Sequence, residues 1–167
     1  MMNWIKSAAT IITSVAFAHA TPSAAASPNQ VAGTWRIVSA TAEADGKVFQ
    51  PYGPQPRGKL TFTEDLHFVE FIFDPAIPAI ASNERGRGTD EENRAILAGS
   101  FALYGRYTVD SHGAFSGNTV EGSSFPNWIG DVRTTKELTM TVEGSRMTEE
   151  FQRPGGAKVT IIWERHP

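Results

Sequence analysis

Phe125-Pro126-Asn127-Trp128-Ile129-Gly130 is the densest polar and aromatic cluster in the chain. Two rings, a rigid proline and an amide fall within one predicted turn between strands. A ring face packs an apolar ligand, and Asn127 can both donate and accept hydrogen bonds. Two readings stay open: the rim of a ligand cavity, or a corner that closes one end of a core with Trp128 inside. A second candidate is Arg106 with Glu121, on successive predicted strands. Turned inward, they make a buried charge pair able to hold a carboxylate or a hydroxyl inside an apolar cavity. Turned outward, they are ordinary surface residues, and Tyr107 and Val109 then take the inward positions.

The other reactive side chains do not form a catalytic set. His67 and Glu70 stand three apart on a predicted strand, which puts them on opposite faces. His112 sits in a turn and His166 at the C-terminal end, and no histidine has a second ligand at strand or helix spacing, so no metal site is assigned. The absence of cysteine excludes thiol catalysis, disulfides and thiolate metal sites. Glu121-Gly122-Ser123-Ser124 lacks the second glycine of a nucleophile elbow. Glu43, Glu70 and Glu121 are scattered carboxylates. Arg85-Gly86-Arg87-Gly88 precedes a helix start, yet Asp90, Glu91 and Glu92 already occupy the positive end of that helix and would repel an anion. The sequence thus assigns no catalytic residue, no metal and no cofactor. A formal net charge of −3 offers nothing to a phosphate backbone or an anionic lipid surface.

The elements that must position these residues are mostly strands. The chain has 167 residues, enough for one domain with a real core, and 15 glycines and 10 prolines make it turn often. Alternation predicts strands over residues 33–39, 58–63, 67–73, 101–110, 114–122, 132–142, 147–152 and 158–165, with Val48-Phe49 as a short extension. The 67–73 stretch is apolar on both parities and reads as covered on both faces. Pro51, Pro54 and Pro56 remove backbone donors, so that segment reads as a stiff extended loop placed like a lid. Thr89 and Glu92 form a capping-box pattern with Asp90 and Glu91 in the first turn, which predicts one short helix over 90–98 with Ile96 and Leu97 facing inward and Gly99 ending it. The 74–88 connection reads as mobile. Ser111-His112-Gly113, Glu143-Gly144-Ser145 and Pro154-Gly155-Gly156 mark the hairpin turns. The result is an all-β chain: eight antiparallel strands closing into a barrel that can just hold one small ligand, with one short α-helix.

The first stretch reads as an address. Lys6 supplies positive charge, residues 8–18 are apolar apart from small hydroxyl residues, and Ala18-His19-Ala20 and Ala24-Ala25-Ala26 both have the small-x-small pattern of a cleavage site. The apolar run is too short to span a bilayer. Residues 1–20 are therefore predicted to be a signal peptide, 21–30 a disordered leader and 31–167 the domain. The expected location is periplasmic or secreted, with no membrane insertion after cleavage.

Several of these stretches carry a family resemblance. Gly33-Thr34-Trp35 resembles the Gly-x-Trp signature of the first lipocalin strand, with Arg165 at the matching end of the last. Gly58-Lys59-Leu60, Leu66-His67-Phe68, Thr89-x-x-Glu92-Asn93, Gly105-x-Tyr107 and the 125–130 cluster extend the likeness. Together they resemble the bacterial lipocalin-like domain family over about residues 31–165. The resemblance implies a β-barrel with an internal cavity and implies no particular ligand. It gives Trp35 and Arg165 a structural role, with the guanidinium stacked on the indole at one barrel end. The mouth is then expected at the other end, at the proline loop and the 125–130 cluster. The leading expectation is an exported lipocalin-like protein that binds a small, largely apolar molecule, with Tyr52, Phe62, Phe71, Tyr104, Arg106, Asn127 and Trp128 lining or rimming the cavity. Two alternatives are an isomerase or cyclase steering protons with Tyr104, Arg106 or Glu121, and a closed structural barrel without a cavity. Secreted material should begin after Ala20 or Ala26 on N-terminal sequencing; an intact Met1 would refute export.

Overall fold

The first and last strands of the chain pair along most of their length, which joins the two ends of the sequence within one sheet. In the computed structural model the described residues are 28–153 and 156–166. The expected signal peptide, the leader as far as residue 27 and the Pro154-Gly155 half of the last turn lie outside them. The strands are β1 (Gly33–Ala44), β2 (Lys47–Phe49), β3 (Arg57–Phe62), β4 (His67–Phe73), β5 (Ser100–Val109), β6 (Phe115–Ser123), β7 (Val132–Thr134), β8 (Leu138–Glu143), β9 (Arg146–Gln152) and β10 (Lys158–Arg165), with one α-helix, α1 (Asp90–Gly99), before β5. They form one antiparallel sheet in the order β7-β6-β5-β4-β3-β1-β10-β9-β8, with β2 beside β1. The sheet curls into a nearly closed all-β barrel. Its seam lies between β7 and β8, which a tight link joins in sequence and no ladder joins among the described residues.

Two differences from the expected eight strands have local causes. The predicted 132–142 strand bends in the middle and becomes β7 and β8. The Glu137 carboxylate accepts hydrogen bonds from the Thr134 backbone nitrogen at 2.9 Å and from its hydroxyl at 2.7 Å, which folds Thr134 to Glu137 into a turn. Val48-Phe49 pairs with Ala42 and Glu43 and counts as a short strand of its own. The capping box at Thr89 and Glu92 forms as read. The helix, however, does not cover β4. It buries only Gly99 and leads into β5 at one barrel end. β4 accordingly alternates, with Phe68, Glu70 and Ile72 inside and Val69, Phe71 and Phe73 partly exposed outside.

One end of the barrel is filled. Trp35 pairs with Arg165 across β1 and β10, and its ring is fully buried. Its indole nitrogen donates to the Val31 carbonyl at 2.8 Å. The Arg165 guanidinium lies 4.1 Å from the ring centroid and donates to the carbonyls of Ala32 at 2.5 Å and Gln30 at 2.9 Å. Gly33 makes room for this: its φ is +116°, and a Cβ there would stand 2.9 Å from the Arg165 side chain. Behind it Phe62 packs edge-on against Tyr107 at 4.7 Å, with Phe68 and Phe115 on its other sides. The Tyr107 hydroxyl donates to the Thr63 carbonyl at 2.7 Å and accepts from Asn29 at 2.6 Å. Trp35→Ala removes a fully buried ring and should cost about 3–5 kcal/mol in denaturant unfolding. A loss below about 1 kcal/mol would show that Trp35 does not hold the closure.

Candidate functional site

At the opposite end the barrel is open. A cavity of about 620 Å³ is walled by Tyr52, Phe101, Phe125 and Trp128, with Leu97 and Ala98 of α1 on one side and Asn127, Asp131 and Arg153 at the edge. Local sequence explains the wall. The three residues from Pro126 to Trp128 form a single 3-10 turn, with proline in its first position where a missing donor is harmless. That turn swings the Trp128 ring across the barrel mouth. There it meets Phe125 at 5.3 Å, Phe101 at 5.8 Å and Phe151 at 6.4 Å, all edge-on. Tyr52, carried in by the proline loop, packs against Phe101 at 5.4 Å. Its hydroxyl lies 3.1 Å from Arg153 Nη2, which donates to it. Burial pushes the Tyr52 hydroxyl up to about 12, against the opposing pull of Arg153, so it stays neutral.

Below this chamber lies a space of about 20 Å³, room for about one water-sized atom. Tyr52, Phe101, Trp128 and Arg153 line both spaces, and Glu70, Arg133 and Glu149 line the lower one. The strand period puts these charges inside. Glu70 stands between Phe68 and Ile72 on the inner face of β4, and Glu149 lies two residues from Met147 on β9. A slip of either strand by one residue would turn its whole apolar set to solvent, so the carboxylates are carried in with it. Arg133, buried on β7, lies over Trp128 at 5.3 Å and Phe151 at 4.7 Å and reaches Asp131 at 3.4 Å. Glu149 accepts from the Trp163 indole at 2.9 Å. Burial drives the Glu70 carboxyl well above the usual carboxylate range, with Glu149 adding to the rise and Arg133 opposing it. Glu149 is pushed up to about 7 by burial, against the Trp163 hydrogen bond and Arg133.

Of the residues expected at the cavity, Tyr52, Asn127 and Trp128 come together on its wall. The other four do not. Phe62 is buried at the filled end, because β3 runs toward Gly33 and carries it there. Phe71 shares the outer parity of β4 and lies in a shallow groove beside Arg57 and Lys59. On β5 Leu103, Gly105 and Tyr107 point inward, so Tyr104 and Arg106 point out. Tyr104 covers Gly122, where a Cβ would fall 2.2 Å from its ring, and Arg106 pairs with Glu121 at 3.1 Å in solvent. Tyr104, Arg106 and Glu121 are thus outside the barrel, away from any ligand whose protons they were to steer. Leu97 is 59% exposed, on the cavity side of α1, where an inward core position was expected. The alternative of a solid, closed barrel describes only the Trp35 end.

Phe101, Glu70, Arg133, Glu149 and Arg153 were not singled out from the sequence as site residues. Glu70 and Glu149 had a usable signal, each holding a carboxylate in phase with apolar residues two positions away. Arg133 and Arg153 had none, since both flank irregular backbone.

The lipocalin-like domain family matches residues 32–166. A 4'-hydroxy-3'-methoxypropiophenone carrier protein of Aspergillus oryzae is 34% identical over 79 residues, which are 44% of this chain and 68% of that protein. Among solved structures, a redesigned beta barrel aligns with a TM-score of 0.39 at 13% identity, over 87% of this chain and 99% of that one.

Glu70 and Glu149 keep a proton in the folded chain at pH values where the unfolded chain has lost it. The folded state then binds more protons, and stability falls as pH rises. For Glu149 the fall starts near its ordinary 4.5 and is complete beyond about 7, and Glu70 acts in the same direction. The urea midpoint should therefore drop between about pH 5 and about pH 8, and Glu149→Gln should flatten that drop. A wild-type midpoint that rises over this range would count against a protonated floor.

Proposed function

Because the chain belongs to the lipocalin-like domain family, we propose that it is an exported protein that binds one small, largely apolar ring compound in the open end of its barrel. The observation that carries this reading is the 620 Å³ chamber walled by Tyr52, Phe101, Phe125 and Trp128. Its size falls within the usual range for small-molecule sites, about 300–1,000 Å³. Ring edges and faces on several sides suit a flat apolar body, and Asn127, Asp131 and Arg153 stand at the edge to orient a polar group. The fungal relative is a carrier of an aryl ketone by name, a ligand of this ring character. Export rests on the N-terminal address alone.

The neutral fluorophore N-phenyl-1-naphthylamine tests the reading. It should quench tryptophan fluorescence saturably, with one probe per chain. Trp128→Ala should weaken binding roughly tenfold, by removing one ring wall. Lys158→Ala, which breaks an exposed pair with Glu150 on the outside of the barrel, should leave it unchanged. Quenching that never saturates, or that is equal in the two variants, would sink the proposal.

A further inference from the structure

Beneath the apolar chamber the barrel holds hydrogen-bonding atoms that the chain itself does not satisfy. Glu70 is 4% exposed, and among the described residues its Oε1 has no partner. The Nε atoms of Arg133 and Arg153 are also buried without one. All three side chains line the same 20 Å³ space, directly under Trp128 and Tyr52. Their neighbours are committed elsewhere. Glu149 takes the Trp163 indole, Arg133 reaches Asp131 through Nη2, and Arg153 uses Nη2 on the Tyr52 hydroxyl. What remains is one carboxyl oxygen and two N–H donors, on side chains that line room for about one heavy atom.

That combination selects among ligand groups. A ketone or ether oxygen accepts from an arginine and from Glu70 while that carboxyl holds its proton, but leaves the carboxylate unmet once it ionises. A carboxylate brings two oxygens and a charge into a space already bordered by Glu70 and Glu149. An ammonium group has no use for either arginine. A hydroxyl both donates and accepts, and one oxygen atom is the right size. It can turn its hydrogen toward Glu70 or accept from it, so it fits whichever state that carboxyl is in.

We propose that this lower chamber is a hydroxyl subsite: the ligand enters with an alcohol or phenol oxygen leading, and that oxygen seats between Glu70 and Arg133 while the ring stays above among Tyr52, Phe101 and Trp128. The inference rests on the cavity reading of the preceding section and adds the chemical class of its ligand. It also assigns Glu70 and Arg133 a part in specificity, separate from the apolar wall that supplies affinity.

Competition with N-phenyl-1-naphthylamine by a matched pair, 2-naphthol and 2-methoxynaphthalene, tests it. The two share the ring system, and only the first can donate. Wild-type protein should prefer 2-naphthol about tenfold or more. In Glu70→Leu that preference should collapse toward unity. Arg133→Met serves as a second variant should Glu70→Leu not fold, and the wild-type ratio stands independently of both. Equal binding of the two probes by wild type would overturn the hydroxyl subsite and leave the cavity reading standing. So would a preference that survives intact in Glu70→Leu. Failure of both naphthalenes to compete would remove both readings together.

Discussion

The stacking of Arg165 on Trp35 joins the beginning of the barrel to its end. β1 and β10 lie next to each other along their length, and the pair sits at the last step of that ladder. A cation over an indole face is worth about 1 kcal/mol at a half-buried position such as this one. The same guanidinium also satisfies the carbonyls of Gln30 and Ala32, which otherwise have no place in the sheet. The segment before β1 is thereby drawn across the barrel floor, where Gln30 reaches Gly113 and Asn29 reaches Tyr107. The β1–β10 ladder and the filling of one barrel end meet at this contact.

With that end filled, cavity and polar groups fall at the other. The two ends differ in what their aromatic residues do. Phe68, Tyr107 and Phe115 pack directly against Phe62. Tyr52, Phe101, Phe125 and Trp128 pack in a ring around the cavity. Carboxylates carried on inward strand positions are costly in a solid core. Glu70 and Glu149 are placed where the solid core gives way to the chamber, and a buried arginine stands beside them. Their burial destabilises the chain and at the same time furnishes a polar floor that an all-apolar barrel would lack.

Much of the barrel was legible from period-two alternation and from turn residues. The strands from β3 to β6 and from β9 to β10 sit close to where that pattern puts them, and Arg165 stacks on Trp35 as the family resemblance implied. Inward and outward faces were harder to read. On β5 the alternative parity, with Tyr107 inside, was the one that holds, and it carries Tyr104 and Arg106 out of the site. β4 is apolar on both faces, so composition alone could not say that Phe71 faces solvent while Glu70 faces the core. The bend that separates β7 from β8 depends on a side chain reaching back to Thr134, a contact no periodicity encodes. In an unbroken strand Arg133 would fall on the face opposite Leu138 and Met140, so alternation alone turns it out of the floor it occupies.

The seam between β7 and β8 has a bearing on how copies of the chain treat one another. A barrel that is not fully laced leaves two strand edges, and an unlaced edge is a template for a foreign strand. β7 offers only Val132 to Thr134, and its middle residue sends a charge into the barrel. Short edge strands and inward-pointing charges are both known guards against edge-to-edge pairing. Arg133 therefore contributes to colloidal stability as well as to the floor of the cavity. Exchanging it for an aliphatic residue would remove that guard and favour self-association along the seam.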